Sequence, residues 1–113
     1  MSGVLDERIV GELKEIMGED LGVLFETFIV DSQDKISQLK DIVFSTDLDA
    51  IRRLAHSLKG SSRNVGANNL ANHCEKLEQD ARNDSLGDRQ RYFDDISETF
   101  HITKTAIHND LLY

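Results

Sequence analysis

Apolar residues recur along this chain at spacings of three and four positions, which is the periodicity of amphipathic helices. The first predicted helix covers residues 6–17, with Asp6 as its N-cap and Gly18 as its stop signal. The second covers residues 20–44 and, at about 1.5 Å per residue, would be about 35 Å long, which is typical of a helical bundle. The apolar sides of these two helices carry Leu5, Ile9, Leu13 and Ile16, and then Leu21, Leu24, Phe25, Phe28, Ser32, Ile36, Leu39 and Val43.

Three more helices are predicted, over residues 47–64, 69–83 and 88–109. Thr46 and Asp49, before the third helix, have the spacing of a capping box, and Gly66 marks the break after it. Because the connections are short, successive helices must be antiparallel neighbours. We therefore expect an all-α fold, an antiparallel up-and-down four-helix bundle with a short additional N-terminal helix. The inward positions of the last three helices are Ile51, Leu54, Ala55, Leu58, Ser62 and Val65, then Leu70, Cys74, Leu77 and Ala81, then Phe93, Ile96, Phe100, Thr103 and Ile107.

The composition is that of a single helical domain over residues 1–113. Hydrophobic residues make up 39% of the chain and proline is absent, which suits helices around an ordinary core. No apolar run approaches the roughly 18 residues that a membrane span needs, and the N-terminus has no signal-peptide pattern, so we expect a cytoplasmic protein. Cys74, the single cysteine, excludes an internal disulfide. Each helix has one apolar stripe, so we expect a monomer.

The charges are unevenly distributed along the chain. A formal net charge of -8 argues against nucleic acid or an anionic membrane as a partner. Residues 50–74 nevertheless contain no Asp or Glu, while Arg52, Arg53, Lys59 and Arg63 are all basic. The sequence therefore predicts a positive island, and His56 lies within it.

His56 is predicted to point to solvent. Taking about 100° per residue and Ile51 as zero, the histidine falls about 140° from the buried direction of the third helix. An exposed imidazole is a nucleophile near pH 7, and it can take a phosphoryl group if the incoming negative charge is offset. Lys59, one turn further on, is placed to reach phosphoryl oxygens. Gly60 has no side chain that would crowd the ring. Because glycine in a helix interior is about 1 kcal/mol less favourable than alanine, we expect a steric reason for its presence here.

A family resemblance rests on this part of the chain. The string His56-Ser57-Leu58-Lys59-Gly60-Ser61-Ser62, followed by Gly66, Leu70, Cys74, Glu75 and Leu77, resembles the signature of histidine-containing phosphotransfer (HPt) domains. The resemblance implies that His56 is the phosphoacceptor through Nε2. It also implies that Lys59 stabilises the phosphoryl group and that Gly60 gives a partner the clearance to approach.

Four further residues form the periphery of the predicted site. Arg52 and Arg63 would extend the positive field around His56. By resemblance, Glu78 and Arg82 on the fourth helix occupy positions where relatives carry polar groups near the histidine. A carboxylate at Glu78 could hydrogen-bond the ring but would repel phosphate. The alternative for Glu78 and Arg82 is an ordinary surface charge, because the acidic runs in residues 75–80 and 94–95 have the pattern of solvated faces.

The resemblance implies a carrier in a multistep two-component phosphorelay. An aspartyl phosphate on the receiver domain of a hybrid sensor histidine kinase would pass its phosphoryl group to His56, which would pass it to the aspartate of a response regulator. Mg²⁺ would be held by the receiver domain, so no metal or other cofactor is expected on this chain. The sequence around Lys59 and Gly60 is not a Walker A motif, because the upstream glycine of that motif is absent. With no nucleotide-binding site, no autonomous kinase activity is expected.

Two alternatives from other functional classes remain. A binding adaptor that docks on a receiver domain without phosphotransfer would not need His56. A hydrolytic or metal-dependent enzyme would need a convergent set of acids or ligands, and the sequence offers none. Cys74 lies on a buried stripe and is predicted to be structural. His101 and His108 are seven residues apart, which is too far for both to bind one metal ion.

Overall fold

Five α-helices account for most of the chain. The computed structural model describes residues 3–112, which contain no β-strand. The predicted helix limits differ from the observed ones by at most two residues, and the all-α prediction is confirmed. In chain order the elements are α1 (Glu7–Met17), a 3₁₀ turn (Gly18–Asp20), α2 (Leu21–Ile42), α3 (Leu48–Asn64), α4 (Asn68–Arg82) and α5 (Arg89–Leu111).

The four longer helices form the antiparallel bundle that the short connections predict. α3 packs against both α2 and α4, and α5 closes the bundle by packing against α4 and α2. The contact between α3 and α4 is the most extensive of these. α1 is the additional N-terminal helix and packs against α2. The described part of the chain measures 43 × 22 × 20 Å, and none of its helices has the length and apolar character to cross a membrane.

The core forms where the apolar stripes of α2, α3, α4 and α5 meet. The predicted inward face of the first helix is correct at Leu5, which is buried, and at Leu13, which packs against the core. It is wrong at Ile16, which is 78% exposed, and it missed Val10, which is fully buried. The reason is that the buried residues of this region, Leu5 and Val10, lie at and near the start of α1, while its C-terminal part extends beyond the core. The largest fully buried apolar side chains are Phe25, Leu39, Ile51, Leu58, Leu70, Leu77, Ile96 and Ile107.

The helix caps agree with the sequence in α1 but not in α3. Asp6 caps α1 as predicted, because its carboxylate accepts hydrogen bonds from the backbone of Arg8 and Ile9. The capping box of Thr46 and Asp49 is not formed. Asp47 is the N-cap of α3 instead, and its side chain accepts the backbone N–H of Ala50 at 3.0 Å. The Asp49 carboxylate pairs with arginines of the next turn, so it cannot complete the box.

The turn between α3 and α4 is tied to the start of α1. The backbone carbonyl of Gly66 accepts the N–H of Asp6 at 2.9 Å, and Asn68 donates to the Asp6 carboxylate. Gly66 has a φ of 81°, in the left-handed region that favours glycine. A Cβ added at Gly66 would lie 3.2 Å from the backbone nitrogen of Asp6. This close approach fixes the turn that sets α4 against α3.

We predict that Gly66→Ala lowers the free energy of unfolding by about 1–3 kcal/mol, because alanine is strained at this φ and its Cβ would press on the Asp6 backbone. Denaturant unfolding followed by circular dichroism measures the change. The control is Gly11→Ala in the interior of α1, where an added Cβ meets nothing within 4 Å. This variant should keep or gain stability, by up to about 1 kcal/mol. Equal stability of Gly66→Ala and the original chain would contradict the prediction.

Candidate functional site

His56 lies midway along α3 with its side chain 63% exposed, in agreement with the helical periodicity. Its Nδ1 atom is 2.8 Å from Oε2 of Glu78 on α4. Because an ionised carboxylate only accepts hydrogen bonds, Nδ1 carries the proton and donates it to Glu78. Among residues 3–112, no protein group hydrogen-bonds Nε2 of this ring. In the neutral tautomer set by this hydrogen bond, Nε2 is the nitrogen without a proton, and it faces solvent.

Glu78 is the buried centre of the site, with only 2% of the residue exposed. Besides His56, its Oε2 accepts a hydrogen bond from Nη2 of Arg82 at 3.0 Å. Nζ of Lys59 lies 2.6 Å from Oε1 in an ion pair whose angles are not those of a hydrogen bond, so Oε1 has no aligned donor in the described chain. The carboxylate thus contacts an imidazole, an ammonium group and a guanidinium group.

The surroundings of Glu78 keep its carboxyl group ionised. Burial alone would raise its pKa, but the contacts with Lys59 and His56 outweigh burial and hold the pKa below its ordinary value. An ionised Glu78 can only accept the hydrogen bond that joins it to Nδ1. The charge state of the buried carboxylate and the orientation of the exposed imidazole therefore depend on the same contacts.

The expectation of a solvated acidic face over residues 75–80 is wrong for Glu78. α4 packs more extensively against α3 than any other pair of helices does, and this contact covers the Glu78 side chain. One signal in the sequence could have indicated it. Glu78 follows Leu77 and comes four residues after Cys74, so it flanks the buried stripe of its helix. Residues 50–74, which include most of the neighbouring helix α3, contain no Asp or Glu, and α3 carries Lys59.

The predicted positive island is largely neutralised in the folded chain. Each of its four cations is paired with a carboxylate that lies just outside residues 50–74 in sequence. Two of these carboxylates are on α4 and one is in the first turn of α3. Glu78 and the three residues that contact it, His56, Lys59 and Arg82, form the Glu78 cluster. Of the four cations only Lys59 belongs to this cluster, so Arg52 and Arg63 do not join the contacts around His56. The pairs are Arg52 and Arg53 with Asp49, Lys59 with Glu78, and Arg63 with Glu75.

Gly60 is exposed on α3, one turn after His56, and it has no packing role within the described chain. A Cβ built at this position meets nothing within 4 Å. Glycine in a helix interior costs about 1 kcal/mol relative to alanine, and no internal contact here offsets that cost. The open surface beside the ring is consistent with the clearance expected from the sequence.

Three other side chains of α3 and α4 that could act as nucleophiles, Ser61, Ser62 and Cys74, are hydrogen-bonded or buried. The hydroxyls of Ser61 and Ser62 donate to backbone carbonyls of the preceding turn, including that of Leu58. Burial and the nearby charge of Glu78 raise the pKa of the Cys74 thiol to about 12, so it stays protonated and unreactive. The described residues contain no group of three His, Cys, Asp or Glu side chains placed to hold a metal ion.

Comparison with known proteins assigns the family. The profile of the Hpt domain matches residues 23–110, which includes all of α3 and α4 and nearly all of α2 and α5. The chain belongs to the Hpt domain family. The resemblance noted in the sequence is therefore confirmed, and the exposed histidine of α3 lies within the matched part of this Hpt domain.

Individual relatives agree with this family. The crystal structure of histidine-containing phosphotransfer protein B (HptB) from Pseudomonas aeruginosa PAO1 is 32% identical to this Hpt domain, with a TM-score of 0.92 over 97% of this chain and 96% of that one. The phosphorelay protein LuxU of Vibrio harveyi is 25% identical over 104 residues, which is 91% of each chain. Together these relatives support histidine phosphotransfer within a phosphorelay.

A rice protein described as a histidine-containing phosphotransfer protein shares the fold of this Hpt domain. The two structures superpose with a TM-score of 0.84 over 96% of this chain and 79% of the rice chain, at 19% identity. At this level of identity, the match bears on the helical architecture alone.

We predict that Lys59→Met lowers the free energy of unfolding by about 1–3 kcal/mol, because the variant leaves the buried Glu78 carboxylate without its ammonium partner. Arg63→Met is the matched control, since Arg63 pairs with Glu75 across the same two helices but both side chains are more than one third exposed. It should cost less than about 1 kcal/mol. Urea unfolding of both variants measures the difference.

A double variant separates the charge effect from loss of packing. Lys59→Met combined with Glu78→Gln removes both members of the ion pair and leaves no unpaired buried charge. It should therefore be more stable than Lys59→Met alone. Glu78→Gln is also measured alone. The electrostatic explanation would be wrong if the losses of unfolding free energy of the two single variants simply added up in the double variant.

Proposed function

We propose that this protein is a phosphocarrier in a multistep two-component phosphorelay. His56 accepts a phosphoryl group from the receiver aspartate of a hybrid sensor histidine kinase and passes it to the receiver aspartate of a response regulator. The observation that carries this proposal is the orientation of the imidazole, whose Nδ1 is hydrogen-bonded to Glu78 and whose Nε2 faces solvent. The family and the relatives with phosphorelay names support the same reaction class.

The transfer uses the lone pair of His56 Nε2. It attacks the phosphorus of the aspartyl phosphate, a P–N bond forms, and the P–O bond to the aspartate breaks with its electron pair remaining on the aspartate carboxylate. The second transfer is the reverse of the first, with a different aspartate as acceptor. Because Nδ1 keeps its proton against Glu78 throughout, neither step needs a proton to move.

Lys59 and Gly60 support this transfer in different ways. Lys59 places a positive charge beside the ring and offsets the charge of the incoming phosphoryl group, although Glu78 shares that charge. Gly60 leaves open space one turn from the ring, so a receiver domain can bring its aspartate to bonding distance of Nε2. Specificity for individual receiver domains is then a property of the surface around His56.

We assign no cofactor to this chain, and the Mg²⁺ of the reaction belongs to the receiver domain. The chain acts as a carrier without autonomous kinase activity. Its partners are two receiver domains, not nucleic acid or a membrane, and it works as a cytoplasmic monomer.

The decisive experiment mixes the purified chain with a receiver domain carrying a labelled phosphoryl group. The chain and the variant His101→Gln, in which an exposed histidine of α5 is replaced, should both acquire an acid-labile, base-stable label. His56→Gln should acquire none, because it lacks the nucleophile. Labelling of His56→Gln to the same extent as the original chain would refute phosphotransfer through His56. Binding of His56→Gln to the receiver with full downstream activity would favour the adaptor alternative.

A second experiment tests the clearance at Gly60. We predict that Gly60→Gln slows transfer from the receiver domain by about tenfold or more, because the new side chain occupies the space one turn from Nε2. Its stability should not fall, since glutamine is the better helix former. The control is Gly11→Gln, at the other helix-interior glycine with open space around it. Transfer to Gly11→Gln should be unchanged, and equal transfer rates for both variants would remove Gly60 from the mechanism.

A further inference from the structure

A surface groove, the α2–α5 groove, runs between residues 33–40 of α2 and residues 93–104 of α5. Its volume is about 370 Å³, and none of the side chains that line it is acidic. Around the bundle the helices follow the order α2, α3, α4, α5. The groove therefore lies on the opposite side of the bundle from the contact between α3 and α4, where Glu78 holds His56.

Two lysines that line this groove have no partner of their own. Nearly all Lys and Arg side chains contact a carboxylate or a backbone carbonyl, as the pairs around Glu78 and Asp49 illustrate. Within residues 3–112 the exceptions are Lys14 on α1, Lys40 on α2 and Lys104 on α5. On a chain with a net charge of -8, two unpaired cations in a groove without acids make a locally positive surface.

The two lysine side chains approach the groove from its opposite ends. α2 and α5 are antiparallel, so Arg89 at the start of α5 donates to the carbonyl of Val43, just after the end of α2. In each helix the lysine is the last residue in the chain direction that lines the groove. Because the side chains of a helix tilt toward its N-terminus, Lys40 and Lys104 both lean inward along the groove.

The rest of the lining offers neutral polar groups over an apolar floor. The side chains of Gln33, Ser37 and Ser97 make no hydrogen bond within residues 3–112, so their amide and hydroxyl groups are available to a ligand. Ile36 and Phe100 form the floor and are only 8% and 7% exposed. The groove thus combines two cations, neutral hydrogen-bond donors and a small apolar surface.

We propose that the α2–α5 groove binds a small organic dianion, with a carboxylate or phosphate group at each end of an apolar body. One lysine binds each end through charge-assisted hydrogen bonds, and the apolar body contacts Ile36 and Phe100. The volume of the groove is at the lower end of the range for small-molecule sites, about 300–1,000 Å³. A ligand bound there leaves the face of His56 free, so this proposal does not rest on phosphotransfer.

The test is an NMR titration of the ¹⁵N-labelled chain with terephthalate, a benzene ring that carries two opposed carboxylates. The backbone amide resonances of Ser37 and Ser97 should shift together and saturate with one dissociation constant. Terephthalamide, the uncharged diamide of the same shape, should leave them unchanged. Shifts confined to residues around His56 would overturn the proposal. So would shifts that do not saturate, which would mean an adventitious ion only.

A double variant tests the role of the two lysines. Lys40→Gln combined with Lys104→Gln should weaken terephthalate binding by about tenfold or more, because the charge-assisted hydrogen bonds are lost. The matched control, Arg8→Gln combined with Lys14→Gln, removes the same charge from α1, outside the groove. Its affinity should change by less than about twofold, since salt screens distant exposed charges. Equal affinities of the two double variants would show a response to net charge alone and would overturn the site.

Two measurements on the unmodified sequence do not depend on the folding of any variant. Nuclear Overhauser effects should join the aromatic protons of terephthalate to the methyl protons of Ile36, and their absence at saturation would overturn the proposal. A peptide of four glutamates should bind the groove more weakly than terephthalate, because it lacks the compact apolar body. Tighter binding of the peptide would reject a small ligand in favour of an acidic segment of a partner protein.

Discussion

The ionised carboxylate of Glu78, buried between α3 and α4, is the interaction on which the site depends. A charge with so little exposure persists only when protein groups replace its lost water, and here these are the hydrogen bonds from His56 and Arg82 and the ion pair with Lys59. The same contacts determine which imidazole nitrogen is protonated and which faces solvent. The stability of the buried charge and the availability of the nucleophile are therefore two results of one arrangement.

The rest of the bundle keeps α3 and α4 in the register that this arrangement requires. Contacts to Glu78 come from both helices, so sliding one helix along the other would separate Lys59 from its carboxylate. The ion pair of Arg63 with Glu75 and the close contact of Gly66 with Asp6 act on the same helix pair. α2 and α5 complete the apolar core behind it. A rigid support of this kind suits a carrier that contributes one nucleophile and a fixed set of charges.

Pairing between helices also changes how an acidic protein can present a site for a negatively charged group. The cations of residues 50–74 do not form an unopposed positive field, because carboxylates of α3 and α4 contact them. Their effect is local. Cations held in place by ion pairs with Glu78, which also binds the imidazole, need little rearrangement when charge develops there. This arrangement reconciles a net charge of -8 with the phosphoryl acceptance that we propose for His56.

The sequence by itself determined the helices, their order, the up-and-down bundle and the exposure of His56, because a period of 3.6 residues and short connections are local properties. It also indicated that Gly60 needed an explanation, since glycine is unfavourable in a helix. Only the tertiary structure decided that Glu78 is buried and that Lys59 and Arg63 are paired with carboxylates of α4. Those outcomes depend on which side chains of two helices meet, and residues such as Lys59 and Glu78, 19 positions apart in the chain, become partners only when the helices pack.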